Sequence, residues 1–193
     1  MSNFDLAFKT VLEHEGGLVD NKHDPGGITN YGISLRWLKS LPDLVGDLDR
    51  DGDVDADDIK MMTPAKSKTF YRKEWWTKYH YDKIDNPGVA IKIMDMSVNM
   101  GAKQAHKLVQ RSLRAVGLEI KDDGILGNMS FNAINIAQSQ FLIPAMRCTQ
   151  AGFYYALVMR NNALRKNKVK KSSGKQYEDL SIFLIGWLRR AYS

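Results

Sequence analysis

The sequence is 193 residues long, 44% of them hydrophobic, with one cysteine, Cys148, and a formal net charge of +6. This composition supports one sizeable core or two small adjoining ones. It excludes a natively disordered chain and an internal disulfide framework. The charge is uneven: residues 47–58 hold seven aspartates and one arginine, a local −6 that leaves +12 on the remainder. So basic a remainder points to a polyanionic partner, whether nucleic acid, an anionic envelope polymer or an acidic membrane surface.

The opening MSNFDLAFKT has neither the positive start nor the apolar run of a secretion signal. No stretch reaches the ~18 apolar residues of a membrane span, so the product is expected to be made as a soluble cytoplasmic protein. In residues 3–15, Phe4, Phe8, Val11 and Leu12 recur at helical spacing, with Ser2 or Asn3 as the cap. Gly16-Gly17 ends that helix. Residues 16–34 are dense in glycine and turn formers and predict a tight loop or short hairpin around a site. Residues 35–46 predict a helix broken at Leu41-Pro42, and residues 59–79 a helical stretch carrying the aromatic run FYRKEWW. Beyond a turn at Asn86-Pro87-Gly88, two helices are expected, separated near Asn99-Met100-Gly101. A Gly/Asp loop, KDDGILG, leads to a helix around Ser130; further helices are expected over residues 144–160 and 176–191. Val109 to Val116 and Ile182 to Trp187 are expected in the core, and Cys148 as a buried structural thiol. The fold class is therefore mainly α, with a small loop or β-hairpin region after the first helix.

The chain has five glutamates, Glu13, Glu15, Glu74, Glu119 and Glu178, and only Glu15 stands at a helix end before a polar loop. A helix C-terminus disfavours negative charge, an odd place for a merely structural acid. It suits a glycosidase, which needs a protonated acid when the leaving oxygen departs. Asp24 and Thr29 follow in the loop. If it folds back as a hairpin, Asp24 can orient water or balance positive charge, Thr29 can hold that water through its hydroxyl, and His23 can enter as a base. On chemistry alone, Asp24-Pro25-Gly26 reads more readily as a plain turn, with Thr29 and Asn30 satisfying backbone groups.

The run EGGLVDNKHDPGGITNYGIS resembles the opening motif of glycoside hydrolase family 108, the muramidases of phage endolysins and related bacterial lytic proteins. In that family the glutamate of the Glu-Gly-Gly step is the essential acid, a position held here by Glu15. FYRKEWWTKYHYDKIDNPGVAIKIMDMSVNMGA resembles the rest of the domain, while DGILGNMSFNAI and FLIGWLRRAY resemble the peptidoglycan-binding region that usually follows it. The Glu15, Asp24, Thr29 spacing is also similar to that of T-even phage lysozymes, with four residues rather than five between Asp24 and Thr29. Leu18 stands where the family usually has an aromatic residue.

The resemblance implies a lysozyme-like fold, with residues 1–98 as the catalytic region and 99–193 as a helical peptidoglycan-binding region packed against it. The implied activity is hydrolysis of the β-1,4 bond between N-acetylmuramic acid and N-acetylglucosamine, with Glu15 as general acid and Asp24 and Thr29 as its catalytic partners. His23, Asn30, Tyr31, Trp75 and Trp76 are candidate sugar contacts. A phage holin is the implied partner for access to the wall, the protein staying in the host cytoplasm until lysis and then reaching the periplasm or cell wall as a monomer. A lytic transglycosylase would use the same acid without water attack.

DLDRDGDVDADD matches a calcium loop of the EF-hand type. Asp47, Asp49 and Asp51 hold the first, third and fifth ligand positions, and Gly52 the sharp sixth-position turn. Asp53 offers its carbonyl, Asp55 acts directly or through water, and Asp58 stands where a bidentate glutamate is usual. A structural Ca2+ is expected here, in a loop inserted relative to the minimal family pattern. Residues 165–175, RKNKVKKSSGK, carry six basic residues and no acid, suited to solubility or to anionic wall or outer-membrane material. A basic helical nucleic-acid-binding protein is the rival class, but no zinc-finger spacing or recognition-helix signature supports it. No specific nucleic acid is expected.

Overall fold

Ser2 starts the first helix, α1 (Asn3–Glu15), with a reciprocal cap: its hydroxyl accepts from Asp5 N–H at 3.2 Å and Asp5 accepts from its N–H at 3.0 Å. In this computed structural model, which describes residues 1–19, 27–171, 173, 176, 177 and 179–193, the chain divides into two compact units, Met1–Val98 and Asn99–Ser193. The fold is mainly α-helical, with one small β-hairpin after the first helix.

In the first unit, α1 buries Phe4, Ala7, Phe8 and Val11. Strands β1 (Thr29–Asn30) and β2 (Ile33–Ser34) pair antiparallel, with Asn30 opposite Ile33. Their two-residue turn has Tyr31 at φ 47° and Gly32 at φ 74°, the double left-handed geometry that matches strand twist. Short α2 (Leu35–Leu38) follows; the rest of residues 35–46 is turns rather than the expected longer helix, because Pro42 and positive-φ Asp43 and Leu44 prevent continuation.

Helices α3 (Ala56–Lys60) and α4 (Pro64–Tyr71) come next, and α4 continues as a π-helical stretch over Arg72–Thr77. Thr63 caps α4 by accepting from Lys66 N–H at 3.2 Å, and Pro64 occupies the first turn, where its missing N–H costs nothing. Asn86 caps α5 (Pro87–Met100) by accepting from Val89 N–H at 3.1 Å. Every residue from Lys92 to Ser97 is buried, the signature of a central helix.

The second unit begins at the end of α5. Gly101, at φ 83°, breaks the helix before α6 (Ala102–Ala115), where Val109 and Leu113 are fully buried as expected. α7 (Asn128–Ile136) follows the Gly/Asp loop. α8 (Ser139–Lys166) packs against both α6 and α9 (Ser181–Tyr192).

Three expectations are corrected here. α8 starts five residues before Pro144, which lies inside the helix on its exposed side. Cys148 is exposed: it sits two residues past buried Met146, about 200° around the helix. Ile182, Phe183 and Ile185 are 75%, 48% and 65% exposed rather than core, because α9 turns its other apolar face, with Leu184, Trp187 and Leu188, onto α8.

Candidate functional site

Glu15 ends α1, and Gly16 at φ 73° turns the chain away with its N–H bonded to Leu12 O at 3.2 Å. The chain then doubles back. Val19 and Thr29 exchange backbone hydrogen bonds of 2.8 and 2.9 Å, and Thr29 also pairs with Ser34. This brings the β1–β2 turn over the half-buried Glu15. A Cβ at Gly32 would lie 2.8 Å from Glu15 Cγ and 2.9 Å from its Cβ, and would overlap Tyr71 Oη. Only glycine fits, both for the left-handed φ and for the closeness of the acid beneath it. Thr29 is half-buried on the same hairpin. Asp24 and His23 lie outside the described residues.

Two residues that sequence reasoning missed brace this corner. His14, next to Glu15, places Nδ1 2.9 Å from Asp95 Oδ1, and Asp95 on α5 is 1% exposed. The last turn of α1 is thereby tied to the central helix. The available signal was one acid inside the apolar run AIKIMDMSV, since a buried carboxylate requires a partner.

The expected sugar contacts separate into two groups. Tyr31 and Trp75 are half-buried. Trp75 lies in an aromatic array, 5.1 Å from Tyr71 and stacked 5.0 Å from Trp37. Trp37, also half-buried, was not singled out from sequence, because a lone tryptophan in a short apolar run carries no motif. Trp76 is buried edge-on against Phe4 and Tyr81, which commits its ring to the core. Asn30 is also buried; its amide nitrogen donates to Ile59 O at 3.0 Å and Met62 O at 3.4 Å, fastening β1 to the end of α3.

The acidic loop is closed by its own carboxylates. Asp47 accepts from Arg50 N–H at 2.6 Å and Gly52 N–H at 3.1 Å. Asp58, 1% exposed, accepts from Leu48 N–H at 2.5 Å through one oxygen and from Asp55 N–H at 2.7 Å through the other. Asp47, Asp49 and Asp58 bring carboxylate oxygens within 4.8 Å of one another, as do Asp53, Asp55 and Asp58. Asp51 belongs to neither group, and its Oδ1 accepts from Asp53 N–H at 3.1 Å. Desolvation, and then the charges of Asp51, Asp58 and Asp47, push the Asp49 carboxyl above its ordinary range; Asp53 is raised chiefly by the charge of Asp51. This all-oxygen cluster can coordinate a metal ion, and its donor type suits a hard cation.

In the second unit, the Gly/Asp loop is held by α6. Gln110 Nε2 donates to Asp123 Oδ1 and Ile125 O, both at 3.0 Å, and its Oε1 accepts from Gly124 N–H at 2.8 Å. Buried His106 places Nδ1 3.2 Å from Gly124 O, and burial pushes its pKa down to about 4. The loop borders a hollow of about 330 Å³, with exposed Ile125 and Met129 at its rim.

Residues 8–101 match the family described as Glycosyl hydrolase 108, and residues 104–192 match the one described as Predicted Peptidoglycan domain. In class, the chain is a glycosyl hydrolase followed by a peptidoglycan-type region. In family, its first unit belongs to glycosyl hydrolase 108, which is consistent with enzymatic activity. No curated protein matches the chain. A solved structure described as that of Brucella abortus SagA is similar in fold, with a TM-score of 0.64 and 23% identity over 98% of this chain and 93% of that one.

Proposed function

We propose that the protein is an endolysin-type N-acetylmuramidase with a lysozyme-like catalytic region. It hydrolyses the β-1,4 bond between N-acetylmuramic acid and N-acetylglucosamine, and Glu15 is its general acid. The observation that carries this reading is the seating of Glu15: a half-buried acid at a helix C-terminus, roofed by the Tyr31-Gly32 turn of a glycine-dependent hairpin. An acid seated there is placed to protonate a leaving glycosidic oxygen. Asp24 then places the attacking water or balances the oxocarbenium-like charge, and Thr29 holds that water. Tyr31 and the Trp37–Trp75 pair offer the ring surfaces on which a sugar stacks, and His23 is a further candidate sugar contact.

Residues 99–193 act as the wall-binding region, with the hollow at the Gly/Asp loop as the contact surface. A Ca2+ ion held by Asp47, Asp49, Asp51, Asp55, Asp58 and the Asp53 carbonyl stabilises the first unit without entering the chemistry. The protein works as a monomer and reaches the wall from the host cytoplasm with the help of a holin. Among the described residues, no helix is long and apolar enough to cross a membrane.

The test is the Glu15→Gln variant, which keeps size and hydrogen bonding but cannot donate the proton. Lysis of purified walls is expected to fall at least ~100-fold, with folding and wall binding unchanged. Undiminished lysis would remove Glu15 from the role of acid.

A further inference from the structure

The positive charge of the molecule is concentrated at its C-terminal end, from the last turns of α8 through α9. Residues 160–193 hold nine basic and two acidic residues, a net +7 against +6 for the whole chain, so residues 1–159 together carry −1. Within this basic region stands the exposed apolar group of Ile182, Phe183 and Ile185 at the start of α9.

The exposure of that face is built into the way α9 is held. Its inner stripe of Leu184, Trp187, Leu188 and Ala191 packs on Ala151 and Tyr154 of α8, with Trp187 stacked 5.3 Å from Tyr154. Both ends are pinned: Asn162 Nδ2 donates to Ser181 Oγ at 2.8 Å, and Arg147 donates to Ser193 O at 2.8 Å. The helix cannot roll its outer stripe inward without losing these contacts. That outer stripe runs Ile182, Ile185, Arg189, Tyr192, at i, i+3, i+7 and i+10 spacing. Among the described residues before α9, three contacts fix the chain. Arg165 pairs with Asp179 at 2.6 Å, Lys170 bridges to Gln176, and the Lys171 ammonium lies 5.6 Å from the Tyr177 ring centre. With the Asn162–Ser181 bond, these contacts tie the end of α8 to the start of α9, and the exposed lysines 166, 168 and 170 follow directly on that end of α8.

We infer that α9 and residues 165–171 form a docking surface for an anionic phospholipid bilayer, with Ile182, Phe183 and Ile185 entering the acyl boundary and the flanking lysines and arginines meeting headgroup phosphates. Charge complementarity selects an anionic partner, and the apolar group selects one with an apolar phase to enter. A wall polymer or a nucleic acid offers charge but no such phase. A second copy of the chain would oppose two net-positive patches across a symmetric contact, and like charges facing each other disfavour that. The lysines and Arg189 have stems long enough to lie along the boundary while their charges stay in water. The surface would hold the enzyme at a membrane face, a role separate from cleavage of the glycan.

The experiment is flotation of the full chain with vesicles of phosphatidylglycerol and phosphatidylethanolamine, against vesicles of phosphatidylcholine alone. Binding is expected to the anionic vesicles only and to weaken in high salt. It should drop at least ~10-fold in the double variant Ile182→Ser/Ile185→Ser and in the triple variant Lys168→Ser/Lys170→Ser/Lys171→Ser. The melting temperature should be the same in all three proteins, since surface substitutions of this kind change stability little, which separates loss of docking from loss of folding. An Ile182→Trp reporter gives a second readout that does not depend on a disruptive change: its emission should shift to the blue on anionic vesicles. Equal binding to neutral vesicles, no binding, or no shift in the reporter would overturn the proposal. So would loss of sacculus binding in the double variant without lipid present, which would assign the face to the wall, or loss of a dimer in that variant, which would assign it to a second copy.

Discussion

Two loops rich in aspartate and glycine lead into helices, residues 47–58 into α3 and residues 121–127 into α7. The first answers its carboxylates mostly with its own backbone N–H groups, and seven aspartates crowd one another with Arg50 as the loop's one basic residue. The second is answered by α6. Asp122 meets Arg111 at 2.8 Å and Arg114 at 3.5 Å, and Asp123 receives Gln110 Nε2–H. The ionisation of the two loops diverges accordingly. Asp49 and Asp53 are pushed up; Asp122 is pulled down by Arg111, and Asp123 by Gln110 and the Ile125 N–H. Composition alone does not make an ion site: the first loop has carboxylate oxygens to spare for a cation, whereas the protein has already satisfied the second.

The sharpest break in this comparison comes from removing the internal partner of the second loop. Gln110→Ala strands a buried Gly124 N–H and uncouples Asp123, so unfolding free energy should fall by about 3 kcal/mol, with or without calcium, by chemical denaturation. An unchanged midpoint would mean that α6 does not hold the loop. The first loop should respond to an ion instead. Calcium at a hundredfold excess over its Kd should raise the melting temperature of the first unit by roughly 10 °C, an effect absent in Asp58→Ala. The same rise in that variant, or none in the native chain, would contradict the cation reading.

A smaller effect follows from His106. Its folded pKa, near 4, lies below the unfolded value of 6.5 because burial penalises the imidazolium. The unfolded chain therefore takes up the proton first as pH falls. The contribution to stability is intact above about pH 6.5 and is lost between there and about pH 4, reaching about 2 kcal/mol by about pH 5. Denaturation curves at neutral and acidic pH measure this loss, and its persistence in a His106→Gln variant would exclude His106 as the source. Arg111→Ala should do least. Its pair with Asp122 is largely exposed, so a loss under about 1 kcal/mol is expected; a larger loss would mean that the pair is holding the loop.

Much of the first unit can be read from sequence because its signals are local. Ser2 and Gly16 bracket α1 as caps, and the β1–β2 turn needs two residues that tolerate positive φ, of which Gly32 is one. The aspartate spacing of residues 47–58 likewise identifies a loop whose carboxylates converge, except that Asp51 stays apart from both groups. The missed features depend on tertiary pairing. His14 and Asp95 are 81 positions apart, and nothing near either residue names the other. In α9, Ile182 and Ile185 lie on one side and Leu184 and Leu188 on the other, so both faces are apolar; only the position of α8 decides which is buried. Pro144 reads as a helix start because proline suits the first turn, and Cys148 reads as buried because its neighbours are apolar. The three-dimensional stripe through Met146, Gln150 and Tyr154 passes by them both.

The central claim concerns Glu15, and digestion of purified peptidoglycan under calcium-replete conditions, with mass analysis of the reduced fragments, tests it most directly. The native chain is expected to produce new reducing ends on N-acetylmuramic acid, without anhydro sugars, and Glu15→Gln to produce almost none. Anhydromuramic ends would mean transglycosylation in place of hydrolysis. No cleavage by the native chain, or equal cleavage by Glu15→Gln, would contradict the account.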